Sequence, residues 1–354
     1  MRRPVKIAVV GGGWVGTHRH IPALRRHGGF DLVGVIDRNE GKVRKLSAAF
    51  GCSRTSTTDN LDSVPWLDEV DAVVIATSPF THYPLISTAL ERGKHVLTEK
   101  PFAMEVGEGE RLVELARARQ RVLAIVHNFQ FAGSTKRLEH DLHAGTLGDV
   151  RGIVARQYGN PLRRLPDWYE QLPFGLFYDE SPHLLYLIKR LSPGPLRLLA
   201  CDVFPSTEGR VTPALIQAQY SCETPSGFIP VTLSMHFESP VSEWHVAVLG
   251  TRALGDVDVF RDIYVRVPND GSHSTWSVVR TSVAATWQHW AQHLSIGPRH
   301  ATGRLLYGND EVYARFHRAI VEGAAIQDVS AADGLHVLRM QHEVIDQANA
   351  LIRR

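Results

Sequence analysis

The sequence predicts a two-domain α/β chain. A doubly wound parallel sheet is expected over residues 1–128, and an α+β domain on a mostly antiparallel sheet over residues 129–354. Two observations carry this reading. In the first 128 residues, short and nearly unbroken apolar runs alternate with longer segments of helical periodicity, which is how strands buried on both faces read. From about residue 146 that alternation gives way to strand-like runs in succession with few helices between them. The length of 354 residues agrees with two domains, and 44% hydrophobic against 21% charged residues supplies a sizeable core and excludes a disordered chain.

Each element follows from its local pattern. "VKIAVV" (5–10) reads as the first strand, with a helix through "VGTHRHIPALRRH" after it. "DLVGVI" (31–36) is the second strand, followed by a helical "EGKVRKLSAAFG" that ends on a glycine stop. "DAVVIAT" (71–77), "KHVLTE" (94–99) and "RVLAIVH" (121–127) are three further strands, separated by helical segments at 82–92 and 103–119. Right-handed crossovers between them give the doubly wound arrangement. In the second half, "VRGIVARQY", "LRLLACDVF", "ALIQAQYSCE", "GFIPVTLSMHFE" and "WHVAVLGTRALGDVDVF" read as strands. Helices are expected near 179–191 and from about 331 to 352, and residues 262–300 as loop plus one helix.

Composition narrows the function classes. The net charge of +2, from 39 basic and 37 acidic residues, gives no electrostatic reason to expect nucleic acid or an anionic membrane as partner. Three widely spaced cysteines, Cys52, Cys201 and Cys222, form no CxxC pair. Neither a disulfide framework nor a zinc site is expected, and a reducing cytoplasm is the natural setting. The apolar run at the N-terminus is too short for a signal sequence, and no stretch approaches 18 consecutive apolar residues.

Ligands of open parallel sheets bind outside the carboxyl ends of the strands, so the five strand ends are read together. The first ends in "GGGWVG", where Gly11, Gly13 and Gly16 match G-x-G-x-x-G between strand and helix. Gly11 permits the turn, Gly13 lets a pyrophosphate approach the backbone, and Gly16 lets the helix pack closely. The helix-opening N–H groups, those of Trp14 and Val15 among them, then face the phosphates. The second strand ends at Asp37, 21 residues after Gly16, placed to accept hydrogen bonds from adenosine ribose hydroxyls. Asp37 repels a 2′-phosphate and favours NAD, whereas the neighbouring Arg38 can lie over adenine or pair with that phosphate and keeps NADP open. The third strand ends at Thr77 and Ser78 with His82 beyond, the fourth at Glu99, Lys100 and Pro101, and the fifth at His127 and Asn128.

The blocks "DAVVIATSPFTHY" and "ALERGKHVLTEKPFA" resemble the signature region of the Gfo/Idh/MocA oxidoreductases, named for glucose–fructose oxidoreductase and inositol dehydrogenase. The hallmark is Glu-Lys-Pro after a "GKHV" strand, and the likeness continues more weakly to "VSAADGLHVLRMQHEVIDQA" near the C-terminus. The resemblance implies an N-terminal Rossmann domain that binds NAD, or alternatively NADP, and a C-terminal domain with a large open sheet. It also implies homodimers or homotetramers formed through that sheet. A second family hallmark, an Asp and a His four residues apart on one helix face, matches Asp179 and His183 in "GLFYDESPHLLYLIKRL", with Asp179 expected as the helix N-cap so that Pro182 falls in the first turn.

The activity so implied is hydride transfer between nicotinamide and an alcohol or ketone of a polyhydroxylated substrate: a sugar, cyclitol or nucleotide sugar. Lys100, Asp179 and His183 are the implied catalytic set. His183 acts as general base, Asp179 orients its ring or holds a second hydroxyl, and Lys100 polarises the reacting oxygen. Thr77, Ser78, His82 and Glu99 join the cofactor contacts, and Asn128 and Trp168 the substrate contacts. Two alternatives stand beside this reading: a redox-neutral enzyme that retains its NAD, and an NAD-binding regulator without catalysis. The chain departs from the family pattern around the implied pocket. Gly175 stands alone where a glycine pair is usual, Ser181 replaces a glycine, Tyr186 replaces an acidic residue, and Phe129 and Gln130 stand where relatives often carry arginine.

Overall fold

A computed structural model describes residues 3–163, 165, 166 and 168–353. The chain forms two compact units, one of Met1–Asn128 with Gly308–Arg339 and the other of Phe129–Tyr307 with Met340–Arg354. Residues 308–339, counted with the second half in the sequence reading, thus pack with the first.

The first unit is built on a six-stranded sheet of β1 (Val5–Val10), β2 (Phe30–Asp37), β3 (Arg54–Thr57), β4 (Ala72–Ile75), β5 (His95–Thr98) and β6 (Leu123–Ile125). The order is β3-β2-β1-β4-β5-β6 with every pairing parallel, the dinucleotide-binding order whose reversal point lies between β1 and β4. Ala72 to Ile75 are wholly buried, as a strand covered on both faces requires. α1 (Ile21–His27), α2 (Glu40–Phe50), α3 (His82–Glu91) and α4 (Val106–Ala118) make the connections. Their limits follow local chemistry. The Asn39 side chain caps α2 through the Lys42 N–H at 3.0 Å, and Gly51 ends it in the left-handed conformation. Glu105 and Glu108 form a reciprocal capping box that starts α4. The polar edge strand β3, "RTST", has no apolar run and escapes the sequence reading.

In the second unit α5 (Gly133–His143), β7 (Val150–Tyr158) and α6 (Leu176–Leu191) precede β8 (Leu196–Phe204), β9 (Leu215–Thr224), β10 (Gly227–His236), β11 (Glu243–Gly250), β12 (Ala253–Asp258) and β13 (Ile263–Pro268). The seven-stranded sheet has the order β13-β12-β11-β7-β10-β9-β8, antiparallel except where β7 meets β10. Alternation along β9 and β10 buries Ile216, Ala218, Tyr220, Val231, Leu233 and Met235 on one face, and α6 lies against β7, β10 and β11.

Residues 262–300, expected as loop plus one helix, contain that helix, the 27-residue α7 (Thr275–Ala301), but the strand β13 precedes it rather than a long loop. β13 is a sheet edge, and α7 closes it with two glutamines one turn apart. Gln288 accepts from the Arg266 N–H at 3.0 Å and donates to the Arg266 carbonyl at 2.9 Å, while Gln292 accepts from the Tyr264 N–H at 2.9 Å and donates to the Tyr264 carbonyl at 2.5 Å. The match is metric: four helical residues rise about 6 Å and two strand residues about 6.6 Å. Side-chain amides thereby occupy the edge that another strand would otherwise join.

The last two helices are α8 (Asn309–Glu322) and α9 (Ala331–Ile352). In the first unit, Tyr313 and Phe316 of α8 pack on Phe30, and the Val329 carbonyl accepts the Ile125 N–H at 2.9 Å beside β6. No helix among the described residues is long and apolar enough to cross a membrane.

Candidate active site

In the first unit the glycine turn bridges β1 and β4. Gly11 has φ of +105° and its N–H bonds the Ile36 carbonyl at 2.8 Å; a Cβ there would sit 2.5 Å from the Ala76 oxygen. A Cβ on Gly16 would lie 2.2 Å from the Gly11 oxygen, so only glycine lets the first helical turn come this close. Gly13 differs: a Cβ there meets no protein atom within 4 Å. Packing therefore does not require glycine at 13, and the open space in front of it suits a pyrophosphate brought against the backbone.

Trp14 and Val15 begin the helix beyond the turn, and Gly16–His20 form a π-helical turn just before Pro22, which has no N–H to offer the ladder. The Trp14 ring is half exposed, stacked on His18 and covered by the Arg19 guanidinium. Asp37, at the end of β2, turns both carboxylate oxygens to backbone: Oδ2 accepts from the Gly12 N–H at 2.6 Å and Oδ1 from the Asn39 N–H at 2.8 Å. It ties the glycine turn to β2. Arg38 beside it is exposed. At the end of β4, the Thr77 hydroxyl accepts from Thr81 at 2.7 Å, and half-buried Ser78 opens the turn into α3.

The Glu-Lys-Pro turn after β5 is held from two sides. Glu99 Oε1 lies 2.9 Å from His20 Nε2, and His20 Nδ1 lies 2.8 Å from the Tyr313 hydroxyl. Burial pushes the Glu99 carboxyl up, but the His20 hydrogen bond and charge, with the Lys100 charge, outweigh it and hold the group below its ordinary value. Burial, with Glu99 nearby, pushes the Tyr313 phenol up, so it stays protonated. The Lys100–Pro101 peptide is cis. His82, expected at the cofactor, is instead wholly buried, with Nδ1 2.7 Å from the Pro101 carbonyl oxygen and Nε2 3.3 Å from that of Thr77. Burial lowers its pKa against the pull of those two carbonyls, so the neutral ring keeps its proton on Nδ1 for the shorter bond. His82 fixes the course of the turn that presents Lys100.

In the second unit, Asp179 and His183 lie on α6, but Asp179 is not its N-cap. The helix starts at Leu176, and its first N–H is capped by the Thr212 hydroxyl at 3.0 Å, itself bonded to Glu170 at 2.7 Å. Gly175 precedes it at φ +55°, where a Cβ would sit 2.0 Å from Thr212 Oγ1. Pro182 consequently falls within the helix and offers no N–H to the Tyr178 carbonyl. Gln341 of α9 supplies that donor: its Nε2 lies 2.6 Å from the Tyr178 oxygen and 2.9 Å from Ser181 Oγ. His183 is buried in an aromatic setting of Phe129, Tyr186 and Trp244, and its Nδ1 is 2.9 Å from the Tyr186 hydroxyl, which also accepts the Phe129 N–H at 3.1 Å. Tyr186 and Phe129, two departures from the family pattern, are thus among the groups that hold His183. Asp179 is half-buried, and Glu180 turns inward to Gln157 and Arg163. Asn128 is buried at the end of the first unit, and half-buried Trp168 begins a short helical turn at Tyr169–Gln171.

Residues 5–127 match the oxidoreductase family with NAD-binding Rossmann fold, GFO_IDH_MocA. The match lies wholly within the first unit and covers less than half of the chain. An uncharacterized oxidoreductase of Schizosaccharomyces pombe is 32% identical over 189 residues, 51% of this chain and 50% of that protein. The dTDP-3,4-didehydro-2,6-dideoxy-alpha-D-glucose 3-reductase of Saccharopolyspora spinosa is 29% identical over 215 residues, 60% of this chain and 63% of the enzyme. The chain therefore spans between half and two thirds of the length of these curated relatives. Among solved structures, the WlbA dehydrogenase of Bordetella pertussis, in complex with NADH and UDP-GlcNAcA, is similar in fold with a TM-score of 0.76 at 17% identity, over 99% of this chain and 97% of that one.

The strand ends of the first unit bring together the glycine turn, Asp37, Thr77, Ser78, Glu99 and Lys100, whereas Asp179, His183 and Trp168 belong to the second. Sequence reasoning missed His20, Tyr313, Thr212 and Gln341. A glutamate at a buried strand end demands a partner, but no local pattern says that the partner sits 79 residues earlier.

Proposed function

We propose that the protein is an NAD-dependent oxidoreductase, with NADP the alternative cofactor, that transfers a hydride between nicotinamide and an alcohol or ketone carbon of a sugar, cyclitol or nucleotide sugar. The observation that carries this reading is the glycine turn. Gly11 and Gly16 are forced by backbone approach, while Gly13 leaves a gap that no protein atom fills, and the Asp37 carboxylate is tied to the same turn. An anionic carboxylate there opposes a 2′-phosphate and supports NAD over NADP. The nucleotide-sugar class is supported by the Saccharopolyspora reductase and by the ligand named with the Bordetella dehydrogenase.

The bound cofactor supplies the hydride donor or acceptor carbon. Lys100 polarises the reacting oxygen and stabilises its alkoxide character. His183 takes the alcohol proton, or returns it in the reverse direction, while the Tyr186 hydroxyl fixes the ring through Nδ1. Asp179, one turn before His183, holds a neighbouring substrate hydroxyl. The test is a panel of nucleotide sugars, free sugars and cyclitols assayed with NAD, NADP and their reduced forms by nicotinamide absorbance. Turnover with NAD, lost in Lys100→Met while NAD still binds, is the expected result. Cofactor binding without turnover of any compound in either direction would refute the enzyme reading and favour a regulator.

A further inference from the structure

The helix α7 presents an apolar stripe that the second unit does not cover. Trp276 is 80% exposed, Val283 62%, Trp287 71%, Trp290 59% and Leu294 75%, and Val279 belongs to the same stripe. The six residues follow one another at intervals of three, four, four, three and four, the spacing of a continuous helical seam. The opposite side of α7 is engaged, because Gln288 and Gln292 grip the edge of β13. The stripe is therefore turned outward by a specific anchor.

Size and chemistry indicate what covers it. Tryptophans present about 150–250 Å² each, so three of them with two valines and a leucine at these exposures form an apolar patch of roughly 700–900 Å². That exceeds the roughly 300–600 Å² of the largest patch on a typical monomer and matches the ~800 Å² that each partner gives to a stable interface. Among its 27 residues α7 has two arginines and no acidic residue, so its surroundings lack the lysine- and arginine-rich polar face with which interfacial helices hold an anionic membrane. The order of residues is also close to its own complement. Reversed about position 285, Trp276 meets Leu294 and Val283 meets Trp287, while Val279 meets Ala291, one residue past Trp290. A two-fold interface has this property, since residue i contacts j and j contacts i.

We infer that α7 is a self-association helix, which pairs antiparallel with α7 of a second copy of the chain about a two-fold axis near residue 285. The stripe borders, through Trp290, the sheet face by which the family resemblance implies assembly, where Arg156, Ala247 and Val265 line a pocket with it; the inference concerns the helix and does not depend on the reaction proposed above.

The experiment is sedimentation velocity on the full chain, with circular dichroism to confirm that each variant folds. Val283→Lys and Trp287→Glu should each halve the mass of the assembly and shift tryptophan emission to the red. The double variant Val283→Lys/Trp287→Glu should regain the wild-type mass, because opposite charges then face each other twice across the axis. A wild-type mass unchanged in both single variants would overturn the inference. So would loss of mass in the single variants without recovery in the double one, which would assign the stripe another partner or register. Stripe-dependent co-sedimentation with phosphatidylserine vesicles, at unchanged mass, would overturn it in favour of a membrane.

Discussion

Replacing Gln341 with leucine tests how α6 survives an internal proline. Pro182 removes the N–H that the Tyr178 carbonyl would otherwise receive, and Gln341, wholly buried, donates to that oxygen at 2.6 Å and contacts Ser181 Oγ at 2.9 Å. Leucine keeps the apolar volume and removes both bonds. A buried carbonyl deprived of its donor costs about 1–3 kcal/mol and the serine contact about 1 more, so Gln341→Leu should destabilise the second unit by about 2–4 kcal/mol. For a unit of this size that is a fall in Tm of roughly 4–16 °C, read by thermal unfolding followed by circular dichroism. Pro182→Ala supplies the decisive control. Alanine restores the helical N–H at position 182, so in the Gln341→Leu background it should recover about 1 kcal/mol or more that it does not give in the wild type. A Tm within about 1 °C of wild type for Gln341→Leu, or equal effects of Pro182→Ala in the two backgrounds, would refute the reasoning.

The other predictions concern candidate residues of each unit taken by itself. Gly16→Ala places a Cβ 2.2 Å from the Gly11 oxygen and should lower stability by several kcal/mol, on the order of a severe overpacking, whereas Gly13→Ala meets no protein atom, should leave Tm unchanged, and should weaken NAD binding at least about tenfold in calorimetry. Glu99 is held below its ordinary value of 4.5, so its contribution to stability is complete above that value and is lost as pH falls through the lower folded value. His20→Ala removes the hydrogen bond and charge that most oppose burial and leaves only Lys100 against it, so the acid limb of a stability–pH curve should move to higher pH; an unmoved limb would dismiss the pair. Tyr186→Phe removes the hydroxyl between His183 Nδ1 and the Phe129 N–H, and should lower kcat about tenfold with a displaced pH–rate profile at nearly unchanged NAD affinity.

Legibility in the sequence tracks how far each residue's partner lies along the chain. β1, β2, β4, β5 and β6 were readable because strands buried on both faces declare themselves as apolar runs, and the glycine turn because its spacing is local. β3 was not, since a polar edge strand takes its stability from pairing with β2 and shows no pattern of its own. The same rule explains the misassigned cap of α6. Asp179 looks like an N-cap by residue type, but the cap is the hydroxyl of Thr212, 36 residues beyond Leu176, and the consequence of Pro182 is absorbed by Gln341, 163 residues beyond Tyr178.

One helix is expected within 262–300, but the limits of α7 and its stripe were not readable, for a different reason. Periodicity is read on the premise that an apolar face turns inward, and threonine, serine, valine, tryptophan and histidine are indifferent helix formers, so neither signal fixed where the helix lies. The stripe is regular only when it is taken as a seam facing outward. A helix held to a sheet edge by two glutamines has its inner face defined by hydrogen bonds, which frees its apolar residues from packing against their own unit. Their retention in a near-palindromic order on the outer face is accounted for by a second chain. If Val283→Lys and Trp287→Glu left the assembly intact, a second copy of the chain would not account for the stripe and its regular spacing.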